Sequence, residues 1–134
     1  MANLKVYEWE AQRWPEFRSV FVKGRPLQRD SLGVLADTFK IDWPTVEQSR
    51  RRGAAQGIGG YYRWGGFYGS VHLGMRSTLA TLVHEFAHHL CQRTVPKELR
   101  KRAHGKEFKR CLKLSYAAAR VLLREARSRT AQGI

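Results

Sequence analysis

The residues with the clearest chemical potential are two histidines and a glutamate within the stretch 78–90. His84, Glu85 and His88 form the pattern H-E-x-x-H. On an α-helix, residues four positions apart lie on the same face, so His84 and His88 could bind one metal ion together. Glu85 comes directly after His84, where its carboxylate could act on a water molecule without binding the metal itself. The pattern therefore predicts a metal-dependent hydrolytic site on a helix.

The flanking residues support the helix that this pattern requires. Apolar residues recur there at helical spacing without an intervening Pro or Gly, namely Leu79, Leu82, Val83, Phe86 and Leu90. They project to one side of the helix, whereas His84 and His88 project to the other. The alternative is a surface helix with two solvated histidines. Chance alone gives about 0.01 expected H-E-x-x-H matches in a chain of this length and composition, which favours the metal site.

A third metal ligand must come from outside this helix, because catalytic zinc usually has three protein ligands. His104 is favoured, since it projects toward the core from the inward edge of the last predicted helix. Its neighbour Gly105 would let the backbone approach closely. Glu107 is the competitor, although its projected direction is intermediate. Cys91 shares the face of the two histidines, but a third ligand from one straight helix would strain the geometry.

The rest of the sequence predicts the elements that would position these residues in a single α+β domain, 1–134. Helices are predicted over about 28–40, 78–93 and 104–128, and an antiparallel three-stranded meander over 45–75. Residues 1–26 form an N-terminal extension, in which 6–10 alternate like a strand before Trp14-Pro15 interrupts them. The expected architecture is a small antiparallel sheet packed with the H-E-x-x-H helix and a long C-terminal helix.

Two cysteines, Cys91 and Cys111, do not make a disulfide framework, which favours a reducing compartment. The N-terminus lacks the pattern of a signal peptide, and no segment approaches the roughly 18 consecutive apolar residues of a membrane span. We therefore expect a cytoplasmic monomer, nucleoid-associated if it binds DNA, with no membrane partner.

The charge of the chain is its second strong feature. It carries 25 Lys and Arg against 11 acidic residues, a formal net charge of +14. Such an excess attracts polyanions, with nucleic acid (DNA in the first place) as the expected partner and an anionic membrane as the lesser candidate. A basic surface can also simply keep a protein soluble, but that explains a modest excess better than one this large. The residues assigned to a phosphate-binding surface are Arg50, Arg51, Arg52, Lys109, Lys113, Arg120 and Arg124.

Two motifs together resemble a known family. The chain reads T-L-V-H-E-F-A-H-H-L over 81–90 and H-G-K-E-F over 104–108. This resembles the SprT-like metallopeptidases, the group that includes the Spartan proteases acting on DNA–protein crosslinks, and the resemblance covers roughly 45–114. It implies a zincin-like minimal metalloprotease domain in which His84, His88 and His104 bind Zn²⁺ and Glu85 is the catalytic carboxylate. Many relatives also carry a C-terminal zinc ribbon, which this chain lacks.

Two classes of function follow as hypotheses. The first is a zinc-dependent endopeptidase that cleaves a protein or peptide substrate on or near nucleic acid. A phage or plasmid protease with one dedicated protein target would use the same chemistry and differ only in its substrate. The second is a non-proteolytic, basic DNA-binding module with a structural zinc. Glu85 favours the enzyme, because a structural site needs no general base.

The sequence also offers candidates for the remaining parts of a protease site. A partner for the developing oxyanion is expected among Tyr61, Tyr62, Tyr68 and His72. An extended substrate is expected to pair with the strand over 68–75, as the strand nearest the cleft.

Overall fold

The structure is a computed structural model that describes residues 2–48, 60–65, 68–100 and 102–131. Its α-helices are α1 (Ala2–Arg13), α2 (Arg25–Thr38), α3 (Leu79–Thr94), α4 (Lys106–Ala118) and α5 (Arg120–Ala131). Its strands are β1 (Thr45–Gln48), β2 (Gly60–Gly65) and β3 (Tyr68–Leu73), and short 3₁₀ helices span Pro15–Ser19 and Lys97–Leu99. The α+β class expected from the sequence is confirmed. No helix in the described ranges is long and apolar enough to cross a membrane.

Helix α3 carries the H-E-x-x-H pattern and lies at the centre of the molecule. Thr78 caps its N-terminus, because the Thr78 hydroxyl accepts a hydrogen bond from the backbone N–H of Thr81 at 3.2 Å. The helix ends at Thr94, before Val95-Pro96. Leu82 and Phe86 on its apolar side are fully buried. Its other face is covered as well, which is why the polar residues of the pattern are also removed from solvent.

The sheet is mixed, so the predicted antiparallel meander is wrong. The strand order is β1-β3-β2, with β3 parallel to β1 and antiparallel to β2. The prediction assumed short connections and hence that strands adjacent in sequence pair with each other. Residues 49–59 separate β1 from β2 in the sequence, which is long enough to let β2 lie on the far side of β3.

One face of the sheet packs closely on α3, and two glycines permit this approach. A Cβ at Gly60 would lie 3.0 Å from Cγ2 of Thr81, and one at Gly69 would lie 2.6 Å from Nδ1 of His89. Val71 and Leu73 lie on the same face as Gly69 because side chains alternate along a strand, and both are fully buried. The absence of a side chain at Gly60 and Gly69 is therefore required by the packing of the sheet on α3.

The N-terminal region is helical, which contradicts the strand-like alternation over 6–10. Helix α1 runs to Arg13 and buries Val6 and Glu10. After it, Trp14 stacks on Tyr116 of α4, with 4.2 Å between ring centroids and an interplanar angle of 7°. The alternation failed as a signal because five residues are too few to separate a period of two from a helical period. Residues between 9 and 17 therefore contact the last helices and do not form an isolated extension.

The predicted C-terminal helix over 104–128 is divided in two. Helix α4 begins at Lys106, α5 ends at Ala131, and the two meet at Ala119, whose φ of −74° and ψ of −4° remain in the helical region. The N–H of Ala119 still bonds to the carbonyl of Ser115 at 2.9 Å. No Pro or Gly marks this position in the sequence, so the interruption could not be predicted.

Candidate metal centre

Three histidines converge in the space between α3 and the beginning of α4. His84 and His88 come from α3, and His104 lies just before Gly105, the residue that precedes the first turn of α4. One ring nitrogen from each of the three lies within 4.8 Å of the others. Nε2 of His88 and Nε2 of His104 are 3.2 Å apart. The structure therefore brings together the three residues that the sequence identified as metal ligands, close enough to bind one ion.

The chemistry of this donor set fits a metal ion and is compatible with zinc. Tetrahedral zinc with Zn–N bonds of about 2.05 Å places two ligand nitrogens about 3.3 Å apart. The His88–His104 pair matches that separation, and the third nitrogen would have to move inward. Nε2 of His84 is buried and has no hydrogen-bond partner among the described residues. A buried ring nitrogen without a partner is uncommon, and a metal ion would satisfy it.

The two competitors for the third ligand position do not join the three histidines. The carboxylate of Glu107 pairs with Arg110 one turn along α4, with 3.3 Å between Oε2 and Nε. Cys91 is a buried free thiol that lies outside the cluster of possible metal ligands, which comprises His84, His88 and His104. His104 is therefore the third member of the candidate metal site, as the residue pattern favoured.

The protonation states of two ligands suit metal binding. Burial, together with the neighbouring charges of His84 and His104, lowers the pKa of His88 to about 2. Burial and the charge of His84 also lower the pKa of His104, against a smaller opposing effect of Glu10. Both rings are therefore neutral near pH 7 and keep a lone pair for a metal ion.

His84 differs from the other two ligands because it has a carboxylate partner. Burial alone would lower its pKa, but the hydrogen bond and charge of Glu10, with the charge of Glu85, outweigh burial and raise it. Nδ1 of His84 lies 2.7 Å from Oε2 of Glu10, and both side chains are buried. The Nδ1–H therefore donates to Glu10, which leaves Nε2 as the nitrogen available to a metal.

Phe108 forms an apolar wall beside all three histidine rings. It is 1% exposed and stacks on His88 with 4.2 Å between ring centroids. Its ring also lies 5.1 Å from that of His84 and 5.0 Å from that of His104. The phenylalanine of the H-G-K-E-F motif thus fixes the ligand rings by packing, a role that the sequence showed only as an apolar position.

Glu85, the proposed catalytic carboxylate, is 4% exposed. Next to it is Tyr7 of α1, which stacks on His84 at 4.8 Å between ring centroids and an interplanar angle of 23°. Burial, followed by the charges of Glu85 and Glu10, raises the pKa of Tyr7 to about 12. A carboxylate and a protonated phenol therefore lie beside the three histidines.

The contribution of α1 to the site was not predicted from the sequence. Tyr7 and Glu10 lie three residues apart on this helix and both contact His84. The strand-like interpretation of 6–10 would place odd and even positions on opposite faces, so it concealed that these two side chains point the same way. Only if residues 6–10 are assigned to a helix does the sequence indicate that Tyr7 and Glu10 share a face.

Of the expected oxyanion partners, Tyr62 lies beside His88, with 6.3 Å between ring centroids, but its hydroxyl is directed to His89. The Nε2–H of His89 donates to the carbonyl of Asp42 at 2.9 Å, so its Nδ1 accepts from the Tyr62 hydroxyl at 2.9 Å. The hydroxyl proton of Tyr62 is therefore donated to His89 and not to the candidate metal centre. Tyr61 and His72 pair across β2 and β3 and stack at 4.2 Å on the sheet face away from α3. The side chain of Tyr68 lies outside the described residues.

The substrate strand predicted over 68–75 is also wrong. Strand β3 is the central strand and is paired on both sides, so its backbone N–H and C=O groups are already used. An added peptide strand requires an open sheet edge. The predicted meander order placed β3 at an edge of the sheet.

A basic groove adjoins the metal site on the side of His104. It has a volume of about 1070 Å³, and its basic and aromatic lining residues are Trp9, Arg102, Lys106, Lys109, Arg110 and Lys113. The ammonium of Lys109 lies 5.2 Å from the centroid of the Trp9 ring. One wall of the groove is His104 itself. Of the predicted phosphate-binding residues, Lys109 and Lys113 are thus next to the candidate metal centre.

The other predicted phosphate-binding residues are placed differently. Arg120 pairs with Glu16 at 3.2 Å and lies over the ring of Phe17, so its guanidinium already has partners within the protein. Arg124 is exposed on α5, away from the groove lining. The cluster Arg50, Arg51 and Arg52 lies outside the described residues.

Comparisons with protein-family models, with curated proteins and with solved structures found no match to this chain. The class of protein is therefore defined by the fold and the site alone, as an α+β protein with three histidines placed to bind one metal ion.

Proposed function

We propose that this chain is a zinc-dependent endopeptidase of the SprT-like type that cleaves protein substrates on or near nucleic acid. The single observation that carries the proposal is the position of Glu85. It is a buried carboxylate directly after the first of three converging histidines. A metal site that only stabilised the fold would have no use for a carboxylate there, since burying one is costly.

The side chains have distinct roles in this mechanism. His84, His88 and His104 hold the ion. Zinc, when bound, polarises a carbonyl group and makes water more acidic. Glu85 accepts a proton from the attacking water and returns it to the amine that leaves.

Tyr7 is the proposed hydrogen-bond donor to the developing oxyanion. It replaces the tyrosines of β2 and β3, because its ring stacks directly on the ligand His84. Its raised pKa of about 12 keeps the phenol protonated at neutral pH, as a donor must be.

The nucleic-acid part of the proposal rests on the basic groove. Ammonium groups at Lys109 and Lys113 would contact phosphates, and the indole of Trp9 offers a surface on which a base could stack. This combination is typical of single-strand binding, and the acidic residue Glu107 in the groove lining is paired with Arg110. The groove includes His104, so nucleic acid there would lie beside the peptidase site.

The test is metal analysis combined with a protease assay. Purified protein is expected to bind about one zinc per chain and to cleave an unfolded protein, measured with and without single-stranded or duplex DNA. Glu85→Gln should retain zinc and the fold but lose cleavage, because the amide cannot accept the proton.

The matched control is Glu107→Gln, which makes the same change at a nearby carboxylate that pairs with Arg110. It should retain most of the cleavage. Cleavage by Glu85→Gln at the wild-type rate, in protein freed of contaminating proteases, would refute the mechanism.

A further inference from the structure

A buried network of hydrogen bonds joins α1, α3 and α4 behind the candidate metal centre. Glu10 of α1 uses Oε2 to accept from Nδ1 of His84 at 2.7 Å and Oε1 to accept from the Tyr116 hydroxyl at 2.5 Å. The three residues are 6%, 2% and 1% exposed. They are far apart in sequence, at positions 10, 84 and 116. Each oxygen of the Glu10 carboxylate therefore has its own fixed donor.

This arrangement determines which nitrogen of His84 faces the other two histidines. A neutral imidazole has one N–H and one lone pair, and the hydrogen bond made by one nitrogen decides which is which. Because Glu10 holds the proton on Nδ1, the lone pair is on Nε2. Rotation of the ring would break a hydrogen bond to a buried carboxylate, and leaving such a group unpaired is costly. Glu10 thus selects both the tautomer and the orientation of His84.

We propose that Glu10 is a positioning residue of the metal centre, that it acts through His84, and that Tyr116 holds it in place. Helix α1 is in consequence a component of the metal site and not an extension beside it. This inference rests on the metal site of the proposed function, whose ligands are the three histidines. The ligand chemistry concerned is a divalent cation bound by imidazole nitrogens, with zinc as the probe.

A second contact of α1 supports the same role. Tyr7, one helical turn before Glu10, stacks on the His84 ring, and its centroid also lies 6.0 Å from that of His104. The ring of His84 is therefore held at its edge by a carboxylate and on its face by a phenol, both from α1. A network that only tied helices together would not require two side chains to orient the same imidazole.

The expected effect is on metal affinity. Loss of a hydrogen-bond partner behind a metal-binding histidine typically lowers affinity 10- to 100-fold. Glu10→Gln keeps the size of the side chain but removes the charge, so we expect a loss of about 10-fold or more. Tyr116→Phe keeps the ring that stacks on Trp14 and removes only the hydroxyl, so its effect should be smaller and in the same direction.

Glu8→Gln is the matched control. Glu8 lies on the same helix and is exposed, so its variant loses the same charge without touching His84. Zinc affinity would be measured for the full-length wild type and the three variants by competition with a chromophoric chelator. The visible spectrum of the cobalt-substituted proteins would report the coordination geometry, which a general loss of stability does not change. Circular dichroism of the metal-free proteins would identify any variant that is unfolded.

The outcomes separate this inference from the function on which it rests. Support requires weaker zinc binding and an altered cobalt spectrum in Glu10→Gln, with Glu8→Gln like the wild type. If the wild type binds zinc and Glu10→Gln matches Glu8→Gln, the positioning role is refuted while the metal site stands. If the wild type binds no metal, both are refuted. If Glu10→Gln does not fold, Tyr116→Phe is the variant that tests the proposal. A zinc affinity of Tyr116→Phe equal to that of the wild type would then refute it.

Discussion

Replacing Lys109 and Lys113 together with Ser should make nucleic-acid binding less sensitive to salt. Both residues line the basic groove beside His104, and Lys113 is exposed there. If each contacts one phosphate of a single strand, two of the contacts that release counterions disappear. Neither side chain contributes to the core, so the fold and the zinc content should be unchanged.

The magnitude follows from the number of contacts. Each phosphate contact with a single strand contributes about 0.7 to the slope of log affinity against log salt, so the variant should lose about 1.4. Between 50 and 200 mM salt the wild-type affinity should therefore fall about sevenfold more than that of the variant. Trp9→Ala, in contrast, should weaken binding by about 1–3 kcal/mol at every salt concentration through lost stacking, with little change in slope.

The assay is fluorescence anisotropy of a labelled single strand, titrated at several salt concentrations. The control is Arg124 and Arg127 replaced together with Ser, because both are exposed on α5 and their loss removes the same charge. Duplex DNA is measured in parallel. A slope equal to that of the wild type in the Lys109/Lys113 variant would show that the groove is a solvated surface. Equal flattening by both pairs would show that phosphate contacts are not confined to the groove but include basic residues of α5.

Two further predictions concern the histidines. His104→Ala should lower zinc affinity sharply, whereas Cys91→Ala should hardly change it, because Cys91 lies outside the cluster of three histidines. Zinc content that survives the first change but not the second would show that the ligand assignment is wrong. Burial lowers the pKa of His89 in the folded protein from the ordinary 6.5, so the contribution of neutral His89 to stability should be fully present above that pH and decline as the pH falls below it. One proton taken up on unfolding corresponds to at most about 1.4 kcal/mol per pH unit, and His89→Gln should reduce the slope of the unfolding free energy against pH, measured by chemical denaturation, by up to that amount. Parallel slopes for both proteins would show that His89 is not the group responsible.

Helix α3 and its two faces could be predicted from the sequence, because the histidines and the apolar residues recur at helical spacing. Two histidines four residues apart on a helix must share a face, whatever the rest of the chain does. The apolar positions Leu82 and Phe86 likewise identified the buried side. His104 was within reach for the same reason, since the projection of the last helix placed it at the inward edge. The expectation that these three residues converge agrees with the structure.

The strand order, in contrast, depended on which connections cross over, and strand periodicity carries no information on that. Each strand shows the same alternation whether it lies at an edge or in the centre. The predicted meander therefore placed β3 at an edge and assigned substrate pairing to it, and the observed order β1-β3-β2 excludes that pairing.

The sequence by itself determined which residues could bind a metal, because residue type and helical spacing are local properties. Only the tertiary structure decided what surrounds them. Glu10 and Tyr116 lie 106 positions apart, yet both oxygens of one carboxylate are used where α1, α3 and α4 meet. Lys109 likewise reaches Trp9 across the groove. Such contacts arise when separate apolar faces are buried against each other, and the polar groups carried inward with them must then find partners from distant parts of the chain.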